Sequence, residues 1–114
     1  MISVRIHLMA SKGKQKELQQ AVEAIMHRIS MEDGCLGCRV FKSLSNESEL
    51  ALIEEWENFE AAQAHASSGN LAILAGAGTV LTESIRVYPE RDPDIQNLKN
   101  VITARFALRL QTDS

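Results

Sequence analysis

The opening strand constrains this chain most. Ile2, Val4, Ile6 and Leu8 alternate with Ser3, Arg5 and His7, and a period of two with β-branched residues makes a strand with one dry face. That face needs a second layer to cover it. From Lys14 to about Met31, Leu18, Val22, Ile25 and Ile29, with Ala21, recur at steps of three and four. This is the stripe of an amphipathic helix that packs on something flat. Ser11 is placed to cap it. Glu32-Asp33-Gly34 ends it, with Gly34 supplying a left-handed stop.

The alternation then returns. Cys35 to Leu44 reads as a strand, Ser45-Asn46-Glu47-Ser48 as a hairpin loop and Glu49 to Trp56 as the partner strand. Asn58 caps a helix that runs to about Ser67, and Gly69-Asn70 interrupts it. Leu71 to Leu81 reads as a short, weak helix, since Gly76 and Gly78 each cost about 1 kcal/mol in a helix interior. Thr82 to Tyr88 returns to strand through Ile85 and Val87.

The order over residues 1–88 is β-α-β-β-α-β. This predicts an α+β class, a ferredoxin-like sandwich with an antiparallel sheet and helices on one face. The other face, which carries Ala51 and Ile53 or Phe41, is too apolar to sit in water. A second sheet should cover it, most simply that of a second copy, giving a homodimer by sheet-to-sheet packing. Residues 89–114 form a C-terminal arm beyond this domain. Glu90 to Asp94 is a charged turn, and Asp94 is placed to cap a short helix through about Asn100. Ile102, Ala104, Phe106, Leu108 and Leu110 then alternate with polar or small residues as a strand would, with a continuous helix over 94–108 as the alternative. In either form the arm is expected to reach the partner subunit.

At 114 residues the chain has room for one modest core. Its net charge of −3 and scattered lysines and arginines argue against nucleic-acid binding, which needs a clustered basic surface. No apolar run approaches the roughly 20 residues that span a bilayer. Arg5 and His7 rule out the first strand as the core of a signal peptide, so a cytoplasmic location is expected. Cys35-Leu36-Gly37-Cys38 suggests zinc or thiol chemistry, but no second pair completes a zinc site. A redox pair would open a helix, where this one opens a strand. The cysteines read as small buried hydrophobes, and no metal or cofactor is expected.

Trp56 and His65 are the remaining candidates for chemistry. The only tryptophan closes a strand, and the histidine follows it across eight residues on the next helix. Ala61, Ala62, Ala64 and Ala66 are small and should leave a hollow above the sheet. A neutral imidazole beside an indole wall suits proton removal from a flat, weakly acidic molecule. His27 lies off the apolar stripe of the first helix and reads as solvated. Arg5 and His7 lie on the face assigned to the subunit interface, where with Arg39 or Arg86 they could line a polar inter-sheet cavity.

Glu32-Asp33-Gly34-Cys35, the strand end Glu54-Glu55-Trp56 and His65-Ala66-Ser67-Ser68 together resemble the antibiotic biosynthesis monooxygenase family, over about residues 2–88. The resemblance implies a dimeric α+β barrel of two ferredoxin-like sheets. It also implies, for some members, oxidation of phenols or quinols by O2 without metal or flavin. Trp56 and His65 fall on the family's strand-end tryptophan and helical histidine, whereas Ser68 is expected only to end the helix. Heme-degrading relatives also use an asparagine of the first strand, which Ile2 to Met9 lack; Ile6 or a neighbour takes that inward position. The expectation is therefore a cofactor-independent monooxygenase for a small aromatic such as a quinol or polyphenol. Trp56 would wall the ring, His65 would act as base, and Ile6 and Leu52 would keep the site dry. The alternatives are a non-catalytic dimeric module that binds a small ligand, and heme breakdown.

Overall fold

A computed structural model describes residues 1–89 and 98–106, with side chains for 1–88 and 98–106. The elements are β1 (Ile2–Ala10), α1 (Gln15–Ser30), β2 (Cys35–Lys42), β3 (Glu49–Trp56), α2 (Phe59–Ala66), α3 (Gly69–Leu81), β4 (Thr82–Pro89) and a last helix, α4, over 98–106. The strands form one antiparallel sheet in the order β2-β3-β1-β4. This is the predicted ferredoxin-like α+β arrangement.

The alternation in β1 does what its period demands. Val4, Ile6, Leu8 and Ala10 are buried beneath the helices, as are Leu50, Leu52 and Trp56 of β3 and Val87 of β4. Leu18, Val22, Ile25 and Ile29 of α1 and Leu71, Leu74 and Ala75 of α3 complete this core. α1 packs against β2 and α3. Ser11 does not cap α1: the cap position is Lys14, with no side-chain hydrogen bond, and Ser11 accepts the Lys14 N–H through its backbone carbonyl. α1 also stops at Ser30, before the expected glycine. Gly34 does take the left-handed backbone (φ 82°), in the turn before β2. A Cβ there would come within 2.5 Å of Ala61 Cβ, so this glycine permits both the turn and its close approach to α2.

α3 is longer than expected because Ser68 caps it, its hydroxyl accepting the Leu71 N–H. Gly78, which weakens the helix, lets a neighbour in. A Cβ there would lie 3.0 Å from both Ile85 Cδ1 and Phe106 Cε1.

Over 102–106 the C-terminal segment is helix, and the alternating strand reading does not hold there. The reason is the spacing of the large side chains. Leu98, Ile102 and Phe106 recur every four residues and are all buried, whereas Ala104, which a strand would place beside Ile102, is exposed. Burying three such side chains is worth about 1.5–3 kcal/mol each, more than a strand could gain by burying Ala104. These three pack into the core of their own chain. The expectations for Leu108 and Leu110, and for a cap at Asp94, fall outside the described residues.

The second face of the sheet carries Arg5, His7, Arg39, Phe41, Ala51, Ile53, Arg86 and Tyr88, by strand register. Phe41 is 45% exposed. Arg5 lies over the Tyr88 ring at 4.8 Å, and His7 meets the same ring edge-on at 4.9 Å. His7, Glu49, Ser84, Arg86 and Tyr88 border a polar hollow of about 200 Å³. Among the described residues, His7 Nε2 is buried there without a hydrogen-bond partner.

Candidate functional site

Period two puts Glu54 and Trp56 on the same face of β3 as Leu50 and Leu52, pointing into the core. The chain turns after Trp56, and Asn58 Oδ1 caps α2 by accepting the Ala61 N–H at 2.9 Å. Helical spacing then buries Ala62, His65 and Ala66 together. Glu32 arrives from the α1–β2 turn, which is held to the start of α2 by the bond from the Glu57 N–H to the Gly34 carbonyl. Three stretches, β3, α2 and the α1–β2 turn, thus converge on one imidazole.

Trp56 and His65 are stacked, with ring centroids 4.7 Å apart and planes inclined by 26°. His65 Nε2 lies 3.1 Å from Glu54 Oε2, and the other oxygen of Glu54 accepts the indole N–H at 3.2 Å. His65 Nδ1 lies 2.8 Å from Glu32 Oε2, which also accepts from Asn70 Nδ2 at 3.0 Å. The Ser68 hydroxyl is 3.4 Å from Nδ1. Trp56, Glu54 and His65 are at most 1% exposed, while the Glu32 side chain keeps 20% of its surface in solvent.

A ring nitrogen can bond a carboxylate only by carrying a proton, and here both nitrogens face carboxylates. Burial pushes the His65 pKa down. The hydrogen bond and charge of Glu54, with those of Glu32, outweigh it, so the net direction is up from 6.5. Both ring nitrogens thus face acidic side chains, an arrangement that favours the doubly protonated ring. Such buried ionic clusters contribute little net stability compared with apolar packing and concentrate where proton chemistry is done.

The hollow expected between Trp56 and His65 is not there: the two rings fill it by stacking on each other. Ile6 and Leu52 are cross-strand partners, both fully buried in the core, and neither borders a described cavity. Ser67, not Ser68, is the C-cap of α2; Ser68 follows it, caps α3 and approaches His65. The cysteines are free, with Cys35 half-buried. Burial pushes the Cys38 thiol up to about 12.

Sequence reasoning missed Glu32 and Glu54 as members of this group. Glu54 left a signal, being a carboxylate at an apolar-face position of a strand. Glu32 opens one of the runs that carry the family resemblance, but its place beside a turn gave no sign that it would reach His65. The donors of the cluster are spent on each other, and among the described residues no group of three His, Cys, Asp or Glu side chains is arranged to hold a metal ion. Among the described residues, no helix is long and apolar enough to cross a membrane.

The family model for antibiotic biosynthesis monooxygenase matches residues 1–72. Among solved structures, PA3566 from Pseudomonas aeruginosa is similar with a TM-score of 0.72 and 15% identity, over 80% of this chain and 92% of that one. A crystal structure of an antibiotic biosynthesis monooxygenase gives 0.72 and 15%, over 81% and 98%. Rv0793 from Mycobacterium tuberculosis gives 0.68 and 20%, over 80% and 95%. At these identities the likeness establishes the fold alone. A search among curated proteins gives no match.

Proposed function

The chain belongs to the antibiotic biosynthesis monooxygenase family, and from that premise we propose that it oxidises a small electron-rich aromatic, a quinol or polyphenol, with O2. The observation that carries this reading is the Glu54–His65 pair. A fully buried carboxylate holds Nε2 and so directs Nδ1 toward Glu32, the partly exposed carboxylate of the pair that flanks the ring. This is the base-and-orienter arrangement of general-base catalysis.

Stacked on Trp56, His65 cannot receive a ring between itself and the indole, so the substrate comes from the Glu32 side. When Glu32 swings out it carries the Nδ1 proton away and releases it to solvent, leaving His65 neutral, with Nε2–H on Glu54 and a free lone pair at Nδ1. A phenolic O–H can take the vacated place, with Ser68 and Asn70 as hydrogen-bond donors beside it. Nδ1 removes the phenolic proton, and Glu54 stabilises the imidazolium that forms. Ground-state O2 is a triplet, so the resulting electron-rich anion is the species that reduces it. The substrate supplies the electrons: a hydroquinone and O2 give a hydroxyquinone and water, one oxygen atom going to each. General-base help of this kind is worth about 10²–10⁴ in rate.

Oxygen uptake with a panel of hydroquinones and anthrone-like phenols tests the reading. Wild type should consume O2, and His65→Ala should lose about 10²-fold in turnover while still binding the aromatic. Equal uptake by the two proteins would remove His65 from the chemistry. The packed Trp56–His65 stack favours one other reading, a non-catalytic module, for which no panel member would raise oxygen uptake.

The open sheet face supports a homodimer. Phe41, Ala51, Ile53 and Tyr88 lie on it beside the unpartnered His7 Nε2, and a second sheet would cover them. Sedimentation at micromolar concentration should give a dimer; a clean monomer would contradict this.

A further inference from the structure

A separate cavity lies between β4 and α4, with a volume of about 360 Å³. It shares no lining residue with the Trp56–His65 group, and all its lining residues lie beyond the stretch matched by the family model. Three of them, Lys99, Thr103 and Phe106, come from α4, spaced so that one helix face turns toward the strand. The volume falls at the lower end of the roughly 300–1,000 Å³ of small-molecule sites.

The lining is amphipathic in a particular way. Ile85, Val87 and Phe106 make an apolar floor, and Arg86 and Lys99 contribute two cations. Tyr88 and Thr103 add hydroxyls, and no described lining residue is acidic. A cavity with two cations and no acid among its described lining residues selects for anions. Its apolar floor selects for a hydrophobic body behind the charge. Arg86 is exposed, so it serves the rim; Lys99 is half-buried on α4.

We propose that the β4–α4 cavity binds a small carboxylate with a flat or short apolar body, the carboxylate at Lys99 and Arg86 and the body against Ile85, Val87 and Phe106. The site is created by the C-terminal helix and stands whether or not the oxygen chemistry above is correct.

Calorimetric titration of the full chain with 2-naphthoate tests this, with 2-naphthylmethanol as the uncharged control of similar shape. Wild type should bind one naphthoate per chain saturably and the alcohol at least tenfold more weakly. Lys99→Met keeps the apolar stem and removes the charge. It should weaken naphthoate about five- to tenfold, the worth of one charge-assisted bond near a surface, and leave the alcohol unchanged. Thr103→Trp, at an exposed position, should fill the cavity and abolish both. Absence of saturable naphthoate binding to folded wild type at about 1 mM, a weak-binding ceiling, would overturn the proposal. So would unchanged affinity in Lys99→Met or in Thr103→Trp, or an alcohol that binds as tightly as the acid.

Discussion

Replacing Glu54 by Gln keeps the side-chain shape and removes one charge from the most buried point of the cluster. The amide can still accept the Trp56 N–H through its oxygen, but it then turns an NH2 group toward His65 Nε2, which lies 3.1 Å from the native oxygen. Two donors would face each other, so the imidazole must give up its Nε2 proton and lose its charge. Breaking a buried ion pair on one side costs about 3–5 kcal/mol, and a near-isostere belongs at the lower end, about 3. At about 4 °C per kcal/mol for a chain of this size, the melting temperature should fall by about 12 °C.

The pH dependence follows from the raised pKa of His65. A group whose pKa rises on folding contributes stability that is fully present below its unfolded value, near 6.5, and is lost as pH climbs through the folded value. The gap between wild type and Glu54→Gln should therefore be widest below about pH 6.5 and narrow as pH climbs through the raised folded value of His65. Differential scanning calorimetry across that range reads it directly. A variant that melts within about 2 °C of wild type at pH 6, under 1 kcal/mol, would refute the reasoning, as would a gap that widens with pH.

Gly34→Ala forces a side chain into a left-handed turn and against Ala61, and should cost at least about 2 kcal/mol by chemical denaturation; an effect below 0.5 kcal/mol would mean the turn is not held as described. Asn58→Ala removes the α2 cap and should cost about 1 kcal/mol, with Asn58→Asp near neutral. In a thiol-labelling time course Cys35 should react well before Cys38, whose thiol is buried and pushed up to about 12; equal rates would place Cys38 at the surface.

The fold was legible because each apolar stripe had one dominant period. β3 carries its four core residues at strict alternation, so its limits, Glu49 and Trp56, could be read directly. The start of the first helix is legible to within a residue, but its cap is not, because Ser11 has the chemistry of a cap without its position: the turn through Gly13 places Lys14 there instead. The last helix was ambiguous because Ile102, Ala104 and Phe106 fit a strand while Leu98, Ile102 and Phe106 fit a helix, and only the packing partner at Gly78 decides between them. At the site, Trp56 and His65 could be paired from their positions on adjoining elements. Their mutual stacking could not, because it depends on Glu54 and Glu32 pulling the imidazole from opposite sides, and Glu32 lies 33 residues away in sequence.

The protonation state of His65 is the point on which the site turns, and nitrogen-15 NMR of the labelled imidazole side chain reads it without a substrate. The account predicts two protonated ring nitrogens at neutral pH, each coupled to its own hydrogen, persisting above the ordinary imidazole value of 6.5. A neutral ring at pH 7, with one bare nitrogen, would contradict it.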